Sequence, residues 1–478
     1  MKTVYCRKAI LAVCFLCLAA ARFCNIGWVV SLTTFLWLTL FCFYIDTAKN
    51  KKELIAAAII FIAGYTIRNW GFTGLFFTDL VLLAVTGFVI FCVFYLSDKI
   101  CRGRTGIKYT LYFPVLWMTV FAVYTVLRVP SALRMDIWFF GFPTLMQCEA
   151  LFSSYGLSFL ILWCASLVAY TLQHGKLSGV ITAAICFALM ISFGTIRVGR
   201  SHTADGSVKV AYTTGPYKGD FINFTNLEYS VKADSAIASV NKAKEAGADI
   251  LVFCEEAFEV THEEEAQLLS LLCEEAKKNK LYILAALDCC DDAYDKNTNK
   301  LVLIDADGNI AGDYVKKYVV PFVESDYTGS REKSPPSYVI RAGDRDVKIS
   351  FAICYDSNFP FYFSRMDEDT SLLFLPSWDW ASITESHSRI CGCLSAEYGV
   401  SVLKATYDGI SVCADPYGNV LQKTNTDVDG FETVHTVDMP IYSIRTHSSV
   451  ICRWIVQAFP LIFVFIAVNE LYERRRKK

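Results

Sequence analysis

Histidine is scarce in this chain, six residues among 478, and the six are scattered. The cysteines are more numerous, but Cys289-Cys290 and Cys391-Gly-Cys393 lack a second ligand pair at metal-site spacing. We therefore expect no metal, and no cofactor. No basic patch interleaved with aromatics occurs in the polar part of the chain, so nucleic acid is not an expected partner. Internal repeats and low-complexity linkers are also lacking. What the chain holds in excess is apolar. Hydrophobic residues make up 54% and aromatics 14%, too much for an ordinary soluble protein. The formal net charge of −2 hides an uneven distribution. Long apolar runs dominate up to about Ile196, ordinary globular composition runs from Ser207 to Ser443, and one more apolar run, Val450–Val468, precedes a basic tail.

The apolar runs predict membrane spans near Ala9–Phe23, Trp28–Tyr44, Leu54–Ile67, Leu80–Leu96, Tyr109–Val126, Leu157–Leu172, Leu177–Ile196 and Val450–Val468. Lysine and arginine cluster before the first span (Lys2, Arg7, Lys8) and between alternate spans (Lys49, Lys51 and Lys52; Lys99, Arg102, Arg104 and Lys108; Lys176). They cluster again in the tail Arg474–Lys478. The intervening loops carry only Arg22, Arg68, Arg128, Arg134, Arg197 and Arg200. The positive-inside rule then puts both termini in the cytoplasm and the polar part outside. The first span has a second reading, a signal peptide cleaved after Ala19-Ala-Ala21, which leaves the polar part on the same side. The expected organisation is a seven-span region at 1–200, an outward domain at 205–442, and a last span with a cytoplasmic tail at 448–478. The outer loop Arg128–Ser154 contains Trp138-Phe-Phe-Gly-Phe-Pro143, which suits an interfacial or re-entrant segment or an aromatic belt.

In the polar part, strands are expected at Val208–Thr213, Asp249–Cys254, Leu281–Leu287, Lys300–Ile304, Ile310–Tyr314, Ser371–Leu375, Ser401–Ala405 and Gly409–Ala414. Helices are expected at Asn226–Ala246, Thr261–Lys280 and Ser386–Tyr398. Asp305-Ala-Asp-Gly-Asn309 is a hairpin turn signal. Alternation of strand and helix early, with hairpins later, argues an α/β or α+β domain with mixed sheets.

One strand, Val347-Lys-Ile-Ser-Phe-Ala-Ile-Cys-Tyr-Asp356, ends abruptly in Cys354, Tyr355 and Asp356. A cysteine at a strand end beside a carboxylate is a mount for a nucleophile; a free cysteine inside a strand is equally a small packed hydrophobe. Two other strand ends present Glu255 and Lys316. A thiol needs a nearby base to become a nucleophile at neutral pH, and Glu255 could serve, with Glu256 as the competing carboxylate. Lys316, rather than the adjacent Lys317, would stabilise negative charge on a tetrahedral oxygen. Trp378 and Trp380 are candidates either for an acyl-binding groove or for the core.

The run Ala248-Asp-Ile-Leu-Val-Phe-Cys-Glu255, then Tyr314-Val-Lys-Lys-Tyr-Val-Val-Pro-Phe-Val-Glu324, then Ala352-Ile-Cys-Tyr-Asp356 resembles the nitrilase (carbon–nitrogen hydrolase) superfamily over roughly Val208–Asp438. With its membrane spans the chain resembles the apolipoprotein N-acyltransferase family within it. Trp138–Pro143 is similar to that family's Trp-x-Phe-x-Gly-Phe-Pro loop. Lys404-Ala-Thr-Tyr-Asp-Gly-Ile-Ser411 resembles its Arg-Ser-Thr-Asn-Asn-Gly-Val-Thr turn. There are departures. Cys254 stands where the family has Pro, Glu256 where it has Thr, Val323 where it has Gly, Asp356 where it has Glu, and Tyr407-Asp408 where it has Asn-Asn.

The resemblance implies a multi-span helical membrane domain plus an α-β-β-α nitrilase-like domain. It implies a catalytic triad of Glu255, Lys316 and Cys354, with Glu324, Tyr355 and Asp356 shaping the site. It implies an enzyme of the bacterial cytoplasmic membrane with its catalytic domain outside. A fatty acyl chain would pass from a membrane phospholipid through a Cys354 thioester to the N-terminal diacylglyceryl-cysteine amine of apolipoproteins. The rival readings are a membrane-tethered amidase acting on a small amide, with water as acceptor, and a non-catalytic membrane scaffold that has kept the fold. Of 19 cysteines, eight fall in the outward part, where an oxidising exterior would tend to pair some of them.

Overall fold

The computed structural model describes residues 2–128, 133–200, 203–214, 228–290, 296–380, 382–426, 434–444 and 446–476. The chain divides into two units, Met1–Arg200 with His447–Lys478, and Ser201–Thr446.

The first unit is helical. Among the described residues six helices are long and apolar enough to cross a membrane: Gly27–Asp46, Phe76–Cys101, Ile107–Val126, Glu149–His174, Ser178–Gly199 and Ser448–Asn469. Eight spans were expected. The first and third also form helices, Lys2–Phe23 and Lys51–Asn69, but charged residues lie within them. Arg7 of one pairs with Glu53 of the other at 2.9 Å, and the Arg7 guanidinium lies 4.5 Å from the Tyr44 ring centre. These charges shorten the apolar stretch below what the other six present.

The described part of the Trp138 loop is packed into this unit, which favours an internal segment over a lipid-facing aromatic belt. Residues 129–132 of the expected loop lie outside the described residues. Trp138 is buried; its carbonyl accepts a hydrogen bond from Ser31 Oγ at 2.9 Å, and the Arg68 guanidinium sits 3.6 Å from its ring centre. Gly141 is needed for close approach, since a Cβ there would stand 2.2 Å from the Gly27 carbonyl carbon.

The second unit is built on two sheets. One has the order β13-β1-β2-β4-β5-β6, with β3 paired to β4; the other has the order β12-β11-β10-β9-β8-β7. The strands of the first sheet are β1 Gly206–Tyr212, β2 Ile250–Val252, β3 Phe258–Val260, β4 Tyr282–Cys289, β5 Thr298–Ile304, β6 Ile310–Val315 and β13 His435–Ile441. Those of the second are β7 Ser337–Ala342, β8 Arg345–Phe351, β9 Leu372–Phe374, β10 Ser401–Lys404, β11 Ile410–Ala414 and β12 Val420–Asn425.

Side chains of the two sheets meet between the layers, Tyr314 of β6 against Phe351 of β8 at 6.3 Å. Helices Tyr229–Glu245 and His262–Asn279 cover the first sheet, and Thr384–Tyr398 covers the second. This is the α-β-β-α sandwich.

Local chemistry accounts for the elements. β4 is buried on both faces, a central apolar strand paired in parallel with β2 and β3 and antiparallel with β5. The helix His262–Asn279 opens on a Thr261–Glu264 capping box, with Glu263, Glu264 and Glu265 in its first turn. Gly308 takes φ +82° at the β5–β6 turn, which the turn signal anticipates.

Three differences from expectation stand out. The strand expected at Asp249–Cys254 is only Ile250–Val252, because the chain leaves the sheet at Phe253 to present Glu255. The hairpin partner β7 and the strands β3, β12 and β13 were not anticipated, being short or amphipathic. The helix expected to begin at Asn226 begins within the described residues at Tyr229.

Candidate active site

The sandwich brings three strand ends together. Glu255 follows β2, Lys316 follows β6, and Cys354 opens a short 3-10 turn, Cys354–Asn358, after β8. Cys354 has φ +42° and Glu256 has φ +52°, both in the left-handed region that non-glycine residues adopt at a cost of about 1–3 kcal/mol each. The Cys354 N–H donates to the Pro376 carbonyl at 2.8 Å. Such strain at a strand-to-turn junction is held by its surroundings and aims the thiol out of the sheet.

Lys316 is 1% exposed, and its ammonium is clamped by two carboxylates. It donates to Glu255 Oε1 at 2.7 Å and to Glu324 Oε1 at 2.5 Å. Glu324 is in turn held by the Val320 N–H at 2.6 Å. Asn299 Nδ2 donates to Glu255 Oε1 at 2.8 Å and to Glu256 Oε1 at 2.9 Å.

Asp356 is fully buried and accepts from the Ile353 N–H at 3.0 Å, the Tyr318 N–H at 2.8 Å and the Tyr314 hydroxyl at 2.8 Å. It ties the cysteine turn to the lysine segment. Tyr355 is 4% exposed, and its hydroxyl has no hydrogen-bond partner among the described residues. A buried hydroxyl left unpaired is a donor in reserve.

Electrostatics follow from burial. Burial pushes the Cys354 thiol well above the ordinary cysteine value; Glu255 adds to this and Lys316 opposes it. Burial alone would lower Lys316, but Glu255 and Glu324 more than offset it, and its pKa stands well above the ordinary lysine value. Burial raises Glu324, with Lys316 pulling the other way. Burial and then the neighbouring Glu255 hold Glu256 well above the carboxylate range. Asp356 is pushed up to about 6 by burial, against its hydrogen bonds. A carboxylate-rich site with one ammonium holds protons easily, which is what general acid–base chemistry asks for.

Of the sequence candidates, Glu255, Lys316, Cys354, Glu324, Tyr355 and Asp356 lie in this one cluster. Lys317 points elsewhere, to the Ser330 carbonyl at 3.0 Å. Trp378 and Trp380 are only partly buried. The Trp378 carbonyl lies 3.7 Å from Cys354 Sγ, and its ring sits 4.8 Å from that of Tyr407.

Sequence reading passed over Asn299, Ser357, Asp379, His387 and Lys404. Asp379 and His387 each put a ligand-type atom within 4.8 Å of Cys354 Sγ. Apart from Ser357, three residues beyond Cys354, they are distant in sequence, and only the pairing of β8, β9 and β10 collects them. None of the eight cysteines of the second unit is in a disulfide, although an oxidising exterior would tend to pair some of them. Cys391 and Cys393 lie within the helix Thr384–Tyr398, and Cys289 and Cys290 are consecutive residues, so neither nearby pair is arranged to bridge.

Residues 222–446 match the carbon–nitrogen hydrolase family. The chain is similar to the apolipoprotein N-acyltransferase of Rickettsia typhi, 21% identical over 449 residues, covering 86% of this chain and 89% of that one. That of Rickettsia prowazekii is 21% identical over 446 residues, covering 85% and 88%. Over most of its length the chain is thus similar to apolipoprotein N-acyltransferases, and its residues 222–446 carry the carbon–nitrogen hydrolase match. Among solved structures, an amidase from Nesterenkonia sp. is 17% identical with a TM-score of 0.42, covering 53% of this chain and 98% of the amidase.

Proposed function

We propose that this acyltransferase moves a fatty acyl chain from a membrane phospholipid to the N-terminal diacylglyceryl-cysteine amine of apolipoproteins, through a thioester on Cys354. The observation that supports it most is the Lys316 ammonium clamped between Glu255 and Glu324, a group with electrostatic reach to a thiol mounted on a strained turn.

In the first half-reaction Glu255 takes the Cys354 proton as the thiolate attacks the ester carbonyl. Charge gathers on the carbonyl oxygen, where Lys316 stabilises it and the spare Tyr355 hydroxyl offers a further hydrogen bond. The ester C–O bond breaks. The proton passes from Glu255 to the leaving alkoxide, and a lysophospholipid departs. In the second half-reaction the acceptor amine attacks the thioester carbonyl, Glu255 accepts the amine proton, and the C–S bond breaks to return the thiol. Glu324 keeps Lys316 charged and in place. Trp378 and Trp380 would border the acyl chain.

By the loop charges, the unit around Cys354 faces the outside of the bacterial cytoplasmic membrane and both termini face the cytoplasm. A reporter joined at Ser207 is then active only outside, and one joined after Lys478 only inside. The reverse pattern would overturn the substrate side. The transfer itself is tested with purified enzyme in vesicles of labelled phospholipid plus a diacylated lipopeptide. The expected products are triacylated peptide and lysophospholipid in equal amounts. Labelled free fatty acid without peptide acylation would indicate water as the acceptor and defeat the proposal.

A further inference from the structure

Beside Cys354 lies a second buried cluster. Asp379 is 0% exposed, His387 5%, Ser357 3% and Lys404 1%. Asp379 Oδ1 meets His387 Nδ1 at 2.6 Å, and Asp379 Oδ2 is bonded by the Lys404 ammonium. Lys404 also donates to Thr406 Oγ1 at 2.9 Å. The other ring nitrogen, His387 Nε2, lies 2.8 Å from Ser357 Oγ. Ser357 Oγ lies 2.6 Å from the carbonyl oxygen of Cys354 itself.

The hydrogens in this chain can be counted. A carbonyl has none to give, so the 2.6 Å contact requires the Ser357 hydroxyl to donate to the Cys354 oxygen. Its single hydrogen is then used, and the 2.8 Å contact must be filled by a hydrogen on His387 Nε2. At the far end Asp379 is ionised. Burial would push its pKa up, but Lys404 and then His387 more than offset this and hold it below the usual carboxylate range. It therefore accepts from a hydrogen on Nδ1. Both ring nitrogens carry hydrogens, so His387 is an imidazolium. The Asn358 amide, 3.4 Å from Nε2, is at the outer limit of hydrogen bonding and does not alter the count.

We propose that Asp379, His387 and Ser357 form a positioning relay for Cys354, in which a doubly protonated His387 fixes Ser357 so that its hydroxyl holds the Cys354 carbonyl and keeps the nucleophile in its left-handed turn. This rests on the reading of Cys354 as the nucleophile. Lys404 has a second part in it. The Asp379 carboxylate lies close enough to Cys354 to raise the thiol. Lys404 and His387 supply the positive charge that compensates for it. The groups facing His387 among the described residues are Asp379 after β9, Lys404 on β10, Cys354 on the turn, and Cys391 on its own helix near Asp379 and Lys404. When His387 loses a proton, Nε2 and the Ser357 oxygen face each other as two acceptors. Ser357 must then turn its hydrogen to the ring and release the Cys354 carbonyl. Cys354 should therefore lose reactivity whenever Ser357 or His387 cannot keep this hydrogen-bond chain.

The test is the rate of iodoacetamide alkylation of Cys354, read by peptide mass spectrometry on the full-length protein in membranes. Misplacing a reacting group by about 1 Å costs about 10²-fold, so Ser357→Ala and His387→Gln should each slow alkylation by about 10- to 100-fold. The double variant should be no slower than the slower single one, because both act through one path. Ser357→Thr, which keeps the hydroxyl, should recover most of the rate. Ser357→Ala removes one buried oxygen, and it decides the matter even if His387→Gln does not accumulate. Wild-type rates in Ser357→Ala, or losses that multiply in the double variant, overturn the relay while leaving the nucleophile intact. A wild-type Cys354 that alkylates no faster than in Glu255→Gln overturns the nucleophile reading and the relay with it.

Discussion

Two buried charge clusters flank Cys354, and they are built in opposite proportion. On one side three carboxylates, Glu255, Glu256 and Glu324, surround the single ammonium of Lys316. On the other, Asp379 is a single carboxylate between two bases, His387 and Lys404. Excess carboxylate leaves protons poorly placed and ready to move, since burial raises both Glu256 and Glu324. Excess base leaves the carboxylate firmly ionised, since Asp379 is held low. The first arrangement suits a site that must take up and hand on protons twice per turnover. The second suits a fixed brace. The contrast teaches that charge stoichiometry, more than the number of ion pairs, separates a working cluster from a supporting one.

The largest break in this contrast comes from Glu255→Gln. Glutamine keeps an oxygen to accept from Lys316 and Asn299 but cannot take a proton, so acyl-enzyme formation should fall below detection at equal membrane abundance. Next is Lys316→Met, which keeps the stem and removes the charge. It should slow acylation by about 10²–10³, the usual effect of losing one stabilising donor.

On the bracing side, Lys404→Met leaves Asp379 without its ammonium partner. Breaking a buried pair in this way should cost about 3–5 kcal/mol of stability, read as a fall in the thermal midpoint of the purified protein. Asp379→Asn combined with Lys404→Met should recover part of it.

The two sides should also answer acid differently. Glu324 and Glu256 have folded pKa values above the unfolded one, so their contribution is fully present below the unfolded value of 4.5 and is lost as pH rises through the folded values. Asp379 has a folded pKa below the unfolded 3.8, so its contribution is present above that value and is lost as pH falls through the folded one. Hydrogen exchange should therefore show β2 and the Lys316 segment gaining protection as pH falls from about 7 to about 5, while the start of the helix Thr384–Tyr398 is unchanged. The smallest effect is that of Lys317→Met, expected to be near wild type because its ammonium reaches the Ser330 carbonyl instead.

Only one of these clusters was legible in the sequence. Glu255, Lys316 and Cys354 sit at or just beyond the ends of apolar strands, so local pattern marks them, and Glu324 was marked by the family resemblance of the segment Tyr314–Glu324. Asp379, His387 and Lys404 carry no such mark. His387 read as one of six scattered histidines, and Lys404 as a residue of the expected strand Ser401–Ala405 that opens the family-like turn, with no role assigned to it. They meet because the parallel pairing of β8, β9 and β10 lays the ends of three separate segments side by side. The layered sheets were legible in their long apolar strands and in the Asp305–Asn309 turn. Among the short strands, β2 was expected but overrun, because the chain turns away at Phe253, and β12 was missed because it is half exposed and polar. In the membrane unit, hydrophobic runs located the helices, but the charged residues of Lys2–Phe23 and Lys51–Asn69 set two of them apart from the rest.

The most direct test of the central claim is the mass of the Cys354 peptide after the purified enzyme has been incubated with a phospholipid of defined acyl chain and no acceptor. The account predicts a hydroxylamine-labile acyl adduct on Cys354, matched by released lysophospholipid, absent in Glu255→Gln and discharged when a diacylated lipopeptide amine is added. An unmodified Cys354 in an enzyme that still acylates the lipopeptide would contradict it.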